Sequence, residues 1–336
     1  MLTIRDIAKL SGFSVTTVSR ALNNEYDVSE STKKRIQQIA KERNYTPNRS
    51  ARRLVTRRSN RIGYLIYEFG KAAGEDNFFY ETLRGMQRKC VELGYELAFL
   101  IGNIHITEEL DAKMIESLIV QHDLAGLIMM GYELDEDKRE KLAEAKIPIV
   151  CIDGRLTGEY LGKVSVDNYA AAYAAVRHMY ENNRRRHIVF LNGKHRSYAC
   201  SQRLNGYRDA MGADFDPNNV YYGEYRETLS AEIIDSLIEQ HLPIDGIFAA
   251  NDMMAIGAIT SLNEHRVRVG EAVDVIGFDD IAISSYIRQP LSTISLDKQL
   301  LGQTCVSLLV DMIQEKDTPR ERFIPFELKL RQTTAS

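Results

Sequence analysis

Ile4-Arg5-Asp6-Ile7-Ala8-Lys9-Leu10-Ser11-Gly12-Phe13-Ser14-Val15-Thr16-Thr17-Val18-Ser19-Arg20-Ala21-Leu22-Asn23 divides at Gly12 into two short helical patterns. Before the glycine, Ile4, Ile7, Ala8 and Leu10 give one amphipathic helix. Ser11-Gly12-Phe13 makes a tight turn, and Ser14 is placed to cap a second helix. There Val18 and Leu22 face inward at i,i+4, which leaves Val15, Thr16 and Arg20 outward at the exposed start. That is where a recognition helix presents side chains to the major groove of DNA. Ser14, Thr17, Ser19 and Asn23 are small hydrogen-bonding residues suited to phosphate oxygens. A third helix, capped by Ser29, is predicted to pack through Ile36, Ile39 and Ala40. Three short helices also describe an ordinary small bundle, so charge has to decide.

The net charge of -4 over 336 residues conceals an asymmetry. Residues 1–61 carry 14 Lys/Arg against 5 Asp/Glu, net +9; of the 43 basic and 47 acidic residues in the whole chain, 29 and 42 remain for the rest, net -13. A small basic head on an acidic body points to a polyanionic partner for the head alone. Cys90, Cys151, Cys200 and Cys305 are widely spaced and form no C-x-x-C pair, which reads as reduced thiols in a reducing cytoplasm. No apolar leader opens the sequence, and no run approaches the roughly 18 apolar residues that span a bilayer, so export and membrane insertion are not expected.

Beyond the head, Pro47-Asn48-Arg49-Ser50-Ala51-Arg52-Arg53-Leu54 offers an Asn cap and a helix too short to hold alone, since isolated helices need about 12–15 residues. It is expected to fold only when docked. From Ile62 the pattern alternates. Strands are predicted at 62–67, 95–101, 126–130 and 147–152, with helices at 82–93, 109–121 and 137–145 between them. A second series begins near Lys163, with helices at 168–181, 201–211, 231–240 and 253–265 and strands at 187–191, 219–222, 246–249 and 273–278. Such βαβ alternation gives parallel sheets flanked by helices, here as two similar lobes with the ligand site in the cleft beyond the carboxyl ends of the strands.

The head strongly resembles the lactose/galactose repressor family. The matching residues are Ile4-Arg5-Asp6-Ile7-Ala8, Gly12, Ser14, Thr17-Val18-Ser19-Arg20-Ala21-Leu22-Asn23, Val28-Ser29, Tyr45-x-Pro47-Asn48 and Ala51-Arg52-x-Leu54. The body is similar to the same family, and beyond it to periplasmic sugar-binding proteins, through Asp167-Asn168, Arg203-x-x-Gly206-Tyr207, Asn251-Asp252-x-x-Ala255-x-Gly257, Gly277-Phe278-Asp279-Asp280, Pro290-Leu291-Ser292-Thr293 and Leu328-x-Leu330-Arg331. The resemblance implies an α/β fold: a small all-α helix-turn-helix domain (1–46), a hinge helix and linker (47–61) and a two-lobed periplasmic-binding-protein-like domain (62–336). It places the lobe crossings near 163, 291 and 324, giving an N-lobe of about 62–163 and 292–323 and a C-lobe of about 164–291 and 324–336. It makes Val15, Thr16 and Arg20 base-reading residues and Leu54 an apolar wedge in the minor groove, with Asn48 and Arg52 on the backbone beside Ser14, Thr17, Ser19 and Asn23.

For the effector, the resemblance implies Phe78, Phe79, Asp153, Arg203, Tyr225, Asn251 and Asp279. Asp153, Arg203, Asn251 and Asp279 supply acceptors and fixed donors for vicinal hydroxyls, and Phe79 or Tyr225 can cover the apolar face of a sugar. Phe78 and Phe79 equally suit core positions, Asn251 and Asp252 equally suit a helix cap, and Asp280 reads as structural. Two departures from the family pattern stand out: a long loop over 70–76 with no proline before Phe78, and a polar, basic stretch, Asn182 to Arg186, where a glycine usually ends the helix.

Catalysis is not expected: the sequence holds no G-x-S-x-G elbow, Walker loop, dinucleotide-binding turn or H-E-x-x-H site, and its seven histidines include no i,i+4 pair. No catalytic residue, cofactor or metal ligand is assigned. The partners expected are double-stranded operator DNA, a small effector, most simply a sugar with a purine or nucleoside as the alternative, and a second copy of the chain, because one recognition helix reads only a half-site. Repression of a carbohydrate-utilisation operon follows from the sugar reading. A sugar-binding protein without DNA function is the competing class, and residues 1–61 argue against it.

Overall fold

In the computed structural model the described residues are 4–22, 28–43, 59–66, 77–100, 112–130, 140, 142, 144, 146–155, 158–195 and 197–335. The chain divides into two compact units, Met1–Ser59 and Asn60–Ser336.

The first unit holds α1 (Ile4–Ser11), α2 (Val15–Leu22) and α3 (Glu30–Glu42). Gly12 has φ +76°, the left-handed conformation that closes a helix and that glycine adopts without steric cost. Ser14 Oγ then accepts the Thr17 N–H at 3.1 Å, capping α2, and Ser29 Oγ accepts the Thr32 N–H at 3.3 Å, capping α3. Ile7, Val18, Ala21 and Ile36 are fully buried between the helices, with Ile39 and Leu22 half-buried against them. One expectation fails: Leu10 is 47% exposed, and Ser11 takes the buried place on α1, its hydroxyl donating to Ala8 O at 3.3 Å. The inward stripe runs from Ile7 to i+4, so a polar side chain is buried there because the helix's own carbonyl satisfies it.

The second unit is built on two six-stranded sheets. The first takes β1 (Arg61–Ile66), β2 (Glu96–Leu100), β3 (Gly126–Met130), β4 (Ile149–Ile152), β5 (Leu161–Val166) and β11 (Glu321–Ile324), in the order β11-β5-β4-β3-β1-β2. The second takes β6 (Ile188–Asn192), β7 (Val220–Tyr222), β8 (Gly246–Ala249), β9 (Asp274–Asp279), β10 (Ser292–Leu296) and β12 (Phe326–Lys329), in the order β12-β10-β9-β8-β6-β7. Every pairing is parallel except β10 with β12. Strands β4, β5, β6, β8 and β9 are buried along their whole length, as central strands of a sheet covered on both faces must be. The covering helices are α4 (Asn77–Leu93), α5 (Ala112–His122), α6 (Asn168–Arg177), α7 (Tyr198–Met211), α8 (Glu227–Glu239), α9 (Asp252–Glu264) and α10 (Lys298–Ile313). The helix expected over 137–145 falls largely outside the described residues.

The first two of the three lobe crossings lie elsewhere than expected. Lys163 sits in the middle of β5, and the chain crosses only at Asp167, where α6 begins and packs on α7. Ser292–Leu296 pairs with β9 and β12, so it belongs to the C-lobe sheet, and the second crossing falls at Asp297 rather than near residue 291. The third lies at Pro325, between β11 and β12. After Asp297, α10 returns to the N-lobe and packs lengthwise on α4. The two helices approach through glycine: a Cβ on Gly302 would sit 2.1 Å from Thr82 O, and one on Gly85 2.1 Å from Gln299 O. For Gly302→Ala, the about 1 kcal/mol gained in helix propensity is outweighed by overpacking against backbone, for a net loss of about 1–2 kcal/mol. An unchanged urea midpoint would show that the helices separate freely.

Candidate functional site

On the head, Val15 is 42% exposed, and Thr16 and Arg20 are exposed with it along one side of α2. Thr16 and Arg20, together with Phe13, Ser14, Thr17, Ser29 and Thr32, border a groove of about 300 Å3 that Val15 does not line. The Ser14 hydroxyl lies 2.9 Å from that of Thr17, so these two phosphate candidates are already oriented by each other; Ser19 is half-buried. Arg35 stacks over the Phe13 ring at 5.9 Å and steadies the turn before α2. Asn23, Asn48, Arg52 and Leu54 lie outside the described residues.

In the body, Asp153 follows β4 with φ 53°. Its carboxylate accepts hydrogen bonds from Ser165 Oγ and, at 2.9 Å, from Asn168 Nδ2. Asn168 Oδ1 in turn accepts from Arg203 Nε at 2.8 Å. The Arg203 guanidinium also donates to Ala250 O and lies 3.6 Å over the centroid of the Phe278 ring. These contacts draw Asp153, Arg203, the Ala250–Asn251 peptide at the end of β8 and the Phe278–Asp279 end of β9 into one assembly. Asn251 Oδ1 accepts the Met254 N–H at 2.9 Å, so it is a helix cap, and Nδ2 is the group left to donate to a ligand. The Tyr225 hydroxyl sits 2.7 Å from Cys200 Sγ and 3.4 Å from Ser197 Oγ, and burial followed by the neighbouring Cys200 pushes the phenol well above its usual value. Tyr225 is therefore a neutral hydrogen-bonding group.

Asp153, Tyr225, Asp279 and Asp280 have positive φ, of 53°, 62°, 101° and 51°; Asp123, Lys146, Arg184, Glu224, His241, Arg266 and Glu315 share that feature, so it does not by itself mark the site. Lys298, at the start of α10, donates through Nζ to the carbonyls of Asp279 and Asp280 and so holds the β9 end from the other lobe. Burial raises the Asp280 carboxyl, but hydrogen bonds from Lys329 at 2.8 Å, Arg331 at 2.5 Å and Ser295 at 2.8 Å overcome it and hold the group at about 2. Asp280 is thus fully engaged in packing the chain's last strand.

Phe78 and Phe79 divide between site and core. Phe79 is 4% exposed, stacked on Tyr64 at 6.0 Å and against Phe99 at 5.6 Å, which makes it a core ring; Phe78 is half-buried in the first turn of α4. Asn168, Ser165 and Phe278 were not assigned from the sequence. Asp167-Asn168 stood out there as a pair, but only the fold shows Asp167 capping α6 through the Ala170 N–H at 2.9 Å and leaving Asn168 for Arg203.

A helix-turn-helix with an exposed reading face, and a two-lobed parallel α/β body with a hydrogen-bonded cluster at its strand ends, define a DNA-binding transcription regulator with a small-ligand domain. Residues 3–48 match the family described as bacterial regulatory proteins, lacI family, and residues 176–334 match the periplasmic binding protein-like domain. The HTH-type transcriptional repressor PurR of Aliivibrio fischeri (strain MJ11) is 30% identical over 329 residues, 96% of this chain and 95% of the relative. A solved CelR–cellobiose complex is 26% identical with TM-score 0.73, covering 99% of this chain and 100% of that one. A lac repressor dimer bound to operator and the anti-inducer ONPF, 24% identical with TM-score 0.76 over 100% of this chain and 99% of that one, shares the fold. The chain belongs to the lacI family of bacterial transcription regulators.

Proposed function

We propose that the chain is a cytoplasmic, non-catalytic repressor of carbohydrate-utilisation genes that binds a near-palindromic operator as a homodimer and responds to a sugar in the interlobe cleft. The observation that carries the effector half is the assembly that joins Asp153, through Asn168, to Arg203 and the ends of β8 and β9, beside Asn251 and Asp279. Carboxylates, an amide donor and a phenol within one cleft suit the alternating donors and acceptors of vicinal hydroxyls. Val15, Thr16 and Arg20 read bases, Leu54 wedges the minor groove, and Ser14, Thr17, Ser19, Asn23, Asn48 and Arg52 contact the backbone. A purine or nucleoside is the second reading, because the half-buried ring of Tyr225 also suits a planar heterocycle.

A thermal-shift screen of sugars, glycosides, sugar phosphates and purines tests this. A ligand at about 100 times its Kd stabilises the folded chain by about 2.7 kcal/mol, and stabilisation by purines alone would overturn the sugar reading. A monomer or tetramer by light scattering would contradict the homodimer. For the head, Arg20→Ala is expected to weaken specific operator binding by about 1–3 kcal/mol and to relax base preference in each half-site. An unchanged ranking of operator variants would remove Arg20 from base reading.

A further inference from the structure

The first lobe crossing is a short piece of chain, Val166-Asp167-Asn168, and its last residue is one of the most buried polar side chains of the body, 2% exposed. Asn168 faces both lobes at once. Its Nδ2 donates to Asp153 Oδ1 at 2.9 Å on the N-lobe side, and its Oδ1 accepts from Arg203 Nε at 2.8 Å on the C-lobe side. Chemistry fixes which way the amide points: a guanidinium only donates and an ionised carboxylate only accepts, so the oxygen must meet Arg203 and the nitrogen Asp153. Ser165 Oγ, 3.2 Å from the same nitrogen, and Val166 O, at 3.3 Å, hold it from rotating.

We propose that Asn168 is a positioning residue that makes the angle between the lobes and the orientation of Arg203 a single variable. Moving the N-lobe away takes Asp153 from the amide, and an amide released from Asp153 no longer holds the guanidinium edge against Ala250 O and Phe278. A ligand that needs Arg203 in this place therefore selects the lobe angle seen here. Among the described residues, Lys163 on β5 also reaches across, to the Tyr198 hydroxyl at 3.4 Å, and Lys298 to the carbonyls of Asp279 and Asp280, but these contacts do not involve Arg203.

The test reads lobe geometry in the full chain without any ligand. Cys90, Cys151, Cys200 and Cys305 are all buried, so spin labels on Ser117→Cys in α5 and Ser236→Cys in α8, both exposed positions, report the interlobe distance by pulsed electron resonance. Unlabelled chain in excess removes distances between protomers. The unaltered chain is expected to give one narrow distribution from about pH 5 to 8. Asn168→Ala should broaden or shift it throughout. Asn168→Asp keeps the shape and the acceptor for Arg203 but sets two carboxylates against each other. Its distribution should be broad at about pH 8 and recover near pH 5, where one shared proton restores a donor between them.

The charged and titratable neighbours leave that profile to the new pair: Arg203 stays cationic, and the thiols of Cys151 and Cys305, which feel the Asp153 charge, are pushed up by burial, that of Cys151 to about 12. Asp153→Ala should reproduce Asn168→Ala without touching α6, and it carries the test if the Asn168 variants do not fold. A narrow, unshifted distribution in Asn168→Ala or Asp153→Ala, or a pH-independent one in Asn168→Asp, would overturn the proposal. The outcome does not depend on which ligand the cleft takes.

Discussion

Asp252→Ala is expected to remove about 3–5 kcal/mol of stability, a large part of the 5–15 kcal/mol that holds a typical domain folded. The carboxylate is 1% exposed and gathers three separate pieces of the C-lobe: it accepts from Ile281 N at 2.8 Å, Ser284 Oγ at 2.6 Å and Thr293 Oγ1 at 2.5 Å. Alanine leaves three buried donors without an acceptor and a cavity beside Gly277, whose Cβ position lies 2.3 Å from the Asp252 oxygen. Urea unfolding of the full chain measures the loss. A drop below about 1 kcal/mol would mean that the donors find water instead.

The same residue gives a pH dependence of unusual sign. Burial pushes the Asp252 carboxyl from 3.8 to about 6, against the hydrogen bonds from Ser284, Thr293 and Ile281. The folded chain therefore holds this proton more tightly than the unfolded chain. Its contribution is greatest below pH 3.8 and declines as pH rises through about 6. The gap in stability between the unaltered chain and Asp252→Ala should accordingly be widest near pH 4 and narrow toward pH 7. Asp280, held at about 2, acts in the opposite direction: its contribution is complete above 3.8 and is lost as pH falls through about 2. A gap at Asp252 that widens with rising pH would show its anion, not its acid, to be the better-solvated form.

What could be read in advance follows from how each element is buried. Gly126–Met130 and Gly246–Ala249 were legible to the residue because each is a short apolar run that opens on a glycine. Lys298–Ile313 was not proposed at all: with Leu301, Cys305, Val306, Leu308, Leu309, Val310 and Met312 all buried, it shows little amphipathic period to read. The first two crossings were placed from the resemblance alone; β5 is buried at every position, and nothing in its own pattern marks where that sheet ends. The cleft residues came from resemblance, and the fold gathers Asp153, Arg203 and the peptides beside Asn251 and Asp279 through contacts between residues 15 to 47 positions apart that no local pattern contains. Phe79 had two equal readings in the sequence, and packing on Tyr64 and Phe99 selects the core.

Arg203→Ala is expected to abolish the effector response, lowering effector affinity by about 100-fold or more. Charged hydrogen bonds contribute about 1.5–3 kcal/mol each, and every 1.4 kcal/mol is tenfold in Kd. Removing the guanidinium also deprives Asn168 Oδ1 and Ala250 O of their donor and uncovers the Phe278 ring, so thermal stability falls alongside. Arg203→Lys separates the charge from the geometry: an ammonium keeps the positive charge but has no planar fork to reach the amide and the carbonyl together while lying on the ring. If placement matters as the contacts imply, lysine should fail nearly as badly as alanine. Asp279→Ala supplies an arm in which the Arg203 contacts to Asn168 and Ala250 remain. Operator binding titrated with the ligand found in the thermal screen reads all three variants. By linkage, a ligand that releases the operator must bind the free protein more tightly than the operator complex, and a corepressor the reverse, so loss of response should appear equally from either side. An undiminished response in both Arg203→Ala and Asp279→Ala would take the cleft out of the mechanism and leave the head as the only functional site defined.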